Sequence, residues 1–250
     1  MLKNINNRIE SYIHNFMQEI ICSITQPHYL PWKGYFNLIK KADIFIFLDD
    51  VKYIKREWKN RNKIRKTSSS NEFKWISIPI DKENQNNNLN NCKIFDDIPW
   101  REEHVNQIYQ TYKKTEYFEK YFHAISEIIL DKNIYILSEL NIKLIEYFCK
   151  LLEISTKRMK SSSLNSNGVK ELKLIDICKK VNAKTYLAND KSSNYIVNEN
   201  FSKEGINLVY QNYIPHSYNQ YYNKEKLNEI QYLSIVDLIF NQGHFSKEFI

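Results

Sequence analysis

The chain has 250 residues, enough for one large domain or two small ones, and its 42% hydrophobic and 26% charged composition is that of an ordinary globular protein. A formal charge of +7 allows a phosphate-bearing partner, but no recognisable module points to nucleic acid, and no apolar run is long enough for an integral membrane segment. Cys22, Cys92, Cys149 and Cys178 stand far apart with no CxxC pair, so spacing offers no zinc site and predicts buried free thiols in a reducing cytoplasm.

Residues 1–19 carry Lys3, Arg8 and Glu10 without a signal-peptide core and read as an N-terminal extension. Ile20 to Thr25 is an apolar run suited to a buried strand, stopped by Gln26-Pro27 because proline lacks the donor that a central strand needs. A turn through Pro31 to Gly34 leads into a short helix that ends near Lys41, and Ile44 to Leu48 is a second strand. Lys74 to Ile80 predicts a third strand, and the Asn-rich Lys82 to Asn91 a loop. From Trp100 the spacing turns helical, first through Val105, Ile108 and Tyr112, then through Phe118 to Ile129, then over Ile136 to Leu152. The α/β pattern returns with a helix over Val169 to Lys180, strands at Thr185–Leu187 and Ile206–Tyr210, and a terminal helix from Leu233 to Phe240, stopped at Asn241-Gln242-Gly243. The expected architecture is α/β: one domain over residues 20–250, a mainly parallel sheet with flanking helices, and a helical insert at about 100–153.

In a strand-helix-strand unit both strands end at one sheet edge, which places Gln26, Pro27 and His28 near Asp49, Asp50 and Lys52. Asp49 or Asp50 can bind Mg²⁺, take a substrate hydroxyl or hold an amine. Adjacent side chains of an extended segment point oppositely, so one aspartate is expected to face the site and the other to orient Arg56 or Arg61. Tyr53 to Arg65 sets Lys55, Arg56, Lys59, Arg61, Lys63 and Arg65 among Trp58, Asn60 and Asn62. Arginine forks suit phosphate, and Trp58 can stack on a base or sugar ring; the bland alternative is a solvated basic loop. Gly34 permits close approach at the helix start, where free N–H groups suit an anion. Neither a Walker A loop nor a GxGxxG fingerprint occurs, and no residue is assigned as a metal ligand. Ser161-Ser162-Ser163 reads as a capping patch.

The segment Gln26-Pro27-His28-Tyr29-Leu30-Pro31-Trp32-Lys33-Gly34-Tyr35-Phe36 resembles the opening motif of the WbqC-like protein family, and Asp49 to Ile64 resembles its second motif. Trp75 to Pro79, Trp100 with His104, Ser162-Ser163, Thr185-Tyr186-Leu187 and Leu233 to Gly243 resemble its later marks, so the likeness spans roughly residues 20 to 245. Ala188-Asn189-Asp190 departs from the small, Gly-bearing stretch common there, and Lys52 stands where Gln is common.

The resemblance implies a part in bacterial surface-polysaccharide (O-antigen-like) biosynthesis, acting in the cytoplasm on a nucleotide-activated amino sugar by acyl or aminoacyl transfer or amide ligation. A loose likeness to nucleotidyltransferases allows ATP and Mg²⁺ as cofactors, although Trp32-Lys33-Gly34-Tyr35 stands where their His-rich motif would be. The catalytic candidates are Asp49, Asp50 and Lys55. The candidates for binding substrate or phosphate are Gln26, His28, Tyr29, Gly34, Tyr35, Arg56, Trp58, Asn60, Arg61 and Asn62. The alternative is a non-catalytic sugar-nucleotide-binding or scaffold protein of a glycan-assembly complex.

Overall fold

The structure is a computed structural model that describes residues 19–67, 70–190, 192 and 196–250. The extension expected over residues 1–19 lies, but for Glu19, outside the described residues. The apolar runs become parallel strands β1 (Ile21–Thr25) and β2 (Ile44–Phe47), joined through helix α1 (Lys33–Lys40) and registered from Cys22 opposite Ile44 to Thr25 opposite Phe47.

Three more strands complete the main sheet: β5 (Lys157–Lys160), β6 (Thr185–Ala188) and β7 (Asn207–Tyr210). Their order is β5-β2-β1-β6-β7, and every pairing is parallel. The chain builds outward from β1 through β2 to β5, then returns to the other side of β1 for β6 and β7. The strand order therefore reverses between β1 and β6, the crevice where open α/β sheets take their ligands.

Alternation along the strands divides the interior. Cys22, Ile24 and Ile46 face a core shared with α5 (Glu171–Lys180) and α6 (Asn198–Lys203). Phe45 and Phe47 face a larger core shared with α1, with α2 (Trp100–Tyr112), α3 (Phe118–Leu130) and α4 (Leu137–Leu151), and with α7 (Ile235–Gln242). Helices thus cover both faces, as the sequence pattern predicts. Arg101 ties the middle helices together: its buried guanidinium grips Asp96 through two nitrogens and donates to the carbonyls of Ile129, Asp131 and Ile134. Those carbonyls at and beyond the end of α3 would otherwise lack partners. Gly243 ends α7 at φ 55°, and a β-carbon there would meet the Tyr117 ring at 2.3 Å. All four cysteines are buried and free. No helix among the described residues is long and apolar enough to cross a membrane.

Two departures concern the basic segment and its neighbour. The strand predicted at Lys74–Ile80 forms as β4 (Phe73–Ser77) but joins no main-sheet strand; it pairs antiparallel with β3 (Arg61–Arg65). Part of the basic segment is therefore strand. Its inward positions, Asn62 and Ile64, are 1% and 0% exposed, yet only Ile64 is apolar, so periodicity gave little sign of it. The loop at residues 82–91 contains the 3₁₀ turns Lys82–Asn84 and Leu89–Asn91. A small hairpin of β8 (Gln220–Tyr222) and β9 (Glu225–Leu227) precedes α7.

Candidate functional site

Because the main strands are parallel, the residues after β1, β2, β5 and β6 gather at one edge: Gln26, Asp49 and Asp50, Ser161 and Ser162, and Asn189. The turn after β1 is held by the chain's own amides. Asn141 Nδ2 on α4 donates to the carbonyls of Pro27 (2.9 Å) and Lys59 (2.7 Å), and the Tyr29 N–H donates to the Trp58 carbonyl at 3.0 Å. Asn62 Nδ2 donates to the Tyr29 (3.0 Å) and Leu30 (2.7 Å) carbonyls. The two sequence motifs thus form one unit. Without these donors, carbonyls in a buried turn would lose their partners.

Several predicted binding residues serve this turn. Tyr29 is fully buried, with its hydroxyl 3.0 Å from His104 Nδ1, and the His104 ring also bonds the Ser77 backbone. Burial pushes the His104 pKa down to about 4. With the neutral ring's other nitrogen on a backbone carbonyl, Nδ1 accepts from the tyrosine. Tyr35 is buried and donates to the Gln26 carbonyl at 3.0 Å, and its ring lies 5.1 Å from that of the half-buried His28. At Gly34 a β-carbon would strike the Trp32 indole at 2.3 Å, so the close approach that this glycine permits is to its own chain. Asn60 donates to the Ile78 carbonyl at 3.0 Å, while its buried Oδ1 has no hydrogen-bond partner among the described residues.

The aspartates depart from the expected arrangement. The Asp49 N–H bonds the Phe47 carbonyl at 2.9 Å, and this tight turn ends the extended geometry that would have sent the two side chains apart. Both carboxylates accept from the Ser161 hydroxyl. Asp49, 1% exposed, also accepts from Ser162 N (3.0 Å) and Ser162 Oγ (2.7 Å). Asp50 accepts from Lys173 Nζ at 2.8 Å, near the start of α5. Ser161, Ser162 and Lys173 are therefore the aspartates' recorded partners, rather than Arg56 or Arg61. The serines read in sequence as caps, and Lys173 lies too far along the chain for spacing to have joined it to Asp50.

These contacts bear on Mg²⁺. Donors occupy both oxygens of Asp49, and Lys173 holds one oxygen of Asp50, so the pair as placed does not fit a resident magnesium site. Among the described residues no group of three or more His, Cys, Asp or Glu is arranged to hold a metal ion.

The basic residues divide by exposure. Lys55 and Arg56 are exposed, Arg56 at φ 58° in the left-handed region. Lys59 is buried against Glu57, and burial lowers its pKa to about 8. Arg61 lays its guanidinium 4.1 Å from the centre of the Trp75 ring, with a buried Nε that has no hydrogen-bond partner among the described residues. The Trp58 ring lies 5.2 Å from that of Trp75. Among the described residues no ion pair involves Lys55, Arg56 or Arg61.

Comparison with known proteins adds two findings. The model of the WbqC-like protein family matches residues 26–248. An uncharacterized protein of Mycobacterium tuberculosis (strain ATCC 25618 / H37Rv), Rv1507c, is 28% identical over 229 residues, which cover 91% of this chain and 96% of that relative. No solved structure matches the chain significantly.

Proposed function

The chain belongs to the WbqC-like protein family, and we propose that it is an enzyme of bacterial surface-polysaccharide biosynthesis that binds a nucleotide-activated amino sugar at the carboxyl edge of its sheet and acylates the sugar amine. The observation that carries this reading is the joining of the two motifs at that edge. Beside the reversal of strand order, the turn after β1 is bonded directly to Trp58 and Asn62 and linked to Lys59 through Asn141, which brings along a basic segment that has no carboxylate partners among the described residues at Lys55, Arg56 and Arg61. Guanidinium and ammonium groups left unpaired beside a ligand crevice suit a diphosphate.

In the reaction proposed, the amine nitrogen attacks the carbonyl of an activated acyl donor and the activating group leaves with its bonding pair. Asp50, the aspartate with fewer recorded donors and 18% side-chain exposure, takes the proton that the amine loses. Asp49 stays a structural brace. No step is routed through a metal.

The contact between Asp50 and Lys173 favours a second reading. A carboxylate held by an ammonium can serve as a structural brace, as a non-catalytic sugar-nucleotide-binding protein would allow. Turnover separates the two. Purified protein incubated with a UDP-amino sugar and either an activated acyl donor or ATP plus an amino acid should yield an acylated sugar nucleotide by mass spectrometry. Tight UDP-sugar binding with no product from any such mixture would favour the binding role.

A further inference from the structure

The β3–β4 hairpin has two unlike faces. Alternate residues of a strand share a face. Asn62, Ile64 and Ile76 point inward and are 1%, 0% and 1% exposed. On the other face the register sets Lys63 opposite Trp75, with Arg61 and Phe73 each two pairs away, on either side. Lys63 Nζ stands 4.1 Å from the centre of the Phe73 ring, 5.2 Å from Trp75 and 5.8 Å from Trp58. Arg61 covers part of Trp75, yet Phe73 and Trp75 remain 43% and 38% exposed. Neither Arg61 nor Lys63 forms an ion pair among the described residues.

Rings left this exposed on a hairpin surface forgo part of their burial, and a cluster of them on one solvent-facing surface marks an interaction face. The rings here are interleaved with cations that lack counter-ions among the described residues. Such a surface suits a ligand that is planar and apolar at one end and anionic at the other. Stacking serves the ring, and the guanidinium and ammonium serve the charge. An aliphatic partner would leave the cations unpaired, and inorganic phosphate alone would not use the rings.

We infer that the outer face of this hairpin, formed by Trp58, Arg61, Lys63, Phe73 and Trp75, is the platform on which the base of a nucleoside diphosphate stacks, with Arg61 and Lys63 taking its phosphates. The inference rests on the nucleotide reading above and adds the part of the ligand that the hairpin recognises.

Calorimetry with UDP and with inorganic pyrophosphate tests it. Trp75→Ala should bind UDP about 5- to 100-fold more weakly than the parent, the range for loss of one base-aromatic stack. Its pyrophosphate affinity should stay unchanged. Trp75→Phe, which keeps a ring, should recover most of the UDP affinity. Trp75→Leu keeps apolar bulk without a ring and should behave as alanine does, so a folding defect in the alanine variant does not blunt the test. Unchanged UDP binding in the leucine variant overturns the platform and leaves the nucleotide reading intact. Equal losses for UDP and pyrophosphate also overturn it, since Trp75 would then act on the cations alone. A parent protein that binds neither probe overturns both.

Discussion

His104 shows how a residue that could pass for a catalytic base is spent on structure. Its ring, 4% exposed, bridges the Tyr29 hydroxyl and the Ser77 backbone, so the turn after β1, helix α2 and the hairpin meet at one side chain. Burial holds the folded pKa at about 4 against 6.5 for a free histidine, so the unfolded chain takes up the proton first. Stability should therefore decline as pH falls from 6.5 towards 4, by up to about 3 kcal/mol from this group. Urea unfolding across that range should show the slope, and His104→Gln should flatten it; an unchanged slope in the variant would assign the acid sensitivity elsewhere. Arg61 is the opposite case, a cation with no carboxylate on it among the described residues. Arg61→Ala should weaken UDP and pyrophosphate binding by about ten- to a hundredfold, as expected for one charge-assisted hydrogen bond, and Arg61→Lys should restore it in part. A large fall in melting temperature with unchanged affinity would make Arg61 structural, although neither Asp49 nor Asp50 bonds it here.

At the scale of elements, sequence periodicity located what is apolar and missed what is polar. The helices over Trp100–Tyr112, Phe118–Leu130 and Leu137–Leu151 were legible because each buries a stripe, and the Ile21–Thr25 and Ile44–Phe47 strands because they are buried on both faces. Strand Lys157–Lys160 was not legible: its sequence Lys-Arg-Met-Lys has one apolar residue. It can be a strand because it lies at the sheet edge, where charged side chains reach water and deter a further partner. The candidate site was legible to the same degree. Parallel topology puts Gln26, Asp49 and Asp50 at one sheet edge, but a turn at Leu48 and partners more than a hundred residues away, Ser161 and Lys173, decide what the carboxylates touch. The terminal helix gives a direct test of packing. Leu238 and Phe240 are 1% and 0% exposed, and Phe240 lies against Tyr112 and Phe118. Leu238→Asp or Phe240→Asp puts an unpaired carboxyl there and should cost several kcal/mol, on the order of 3–5. A thermal melt that matched the parent would mean that the helix is not docked.

Over the whole molecule, buried titratable groups set a limit on the alkaline side. Lys59 has its pKa lowered by burial from 10.5 to about 8, so between those values the unfolded chain holds the extra proton and stability rises with pH. The cysteines work against this. Burial raises Cys92 and Cys149 from 9.0 to about 12, and Cys22 is raised as well, chiefly by its hydrogen bond with Cys178 and then by burial. Above pH 9 their unfolded thiols ionise while the folded ones stay protonated, and stability falls. Above pH 10 the buried hydroxyls of Tyr35, Tyr112 and Tyr218, all raised by burial, add to the same loss. Each proton of difference is worth about 1.4 kcal/mol per pH unit, so the lysine balances one of these groups and is outnumbered by the rest. Denaturant unfolding under reducing conditions should therefore give nearly level stability from pH 8 to 9, then a decline that steepens beyond pH 10. Lys59→Met removes the opposing proton, so its stability should already fall between pH 8 and 9. Equal stability at pH 8 and pH 10.5 in the parent would show that these thiols and hydroxyls are open to water, and the double-faced core described above would not be closed as the structure has it.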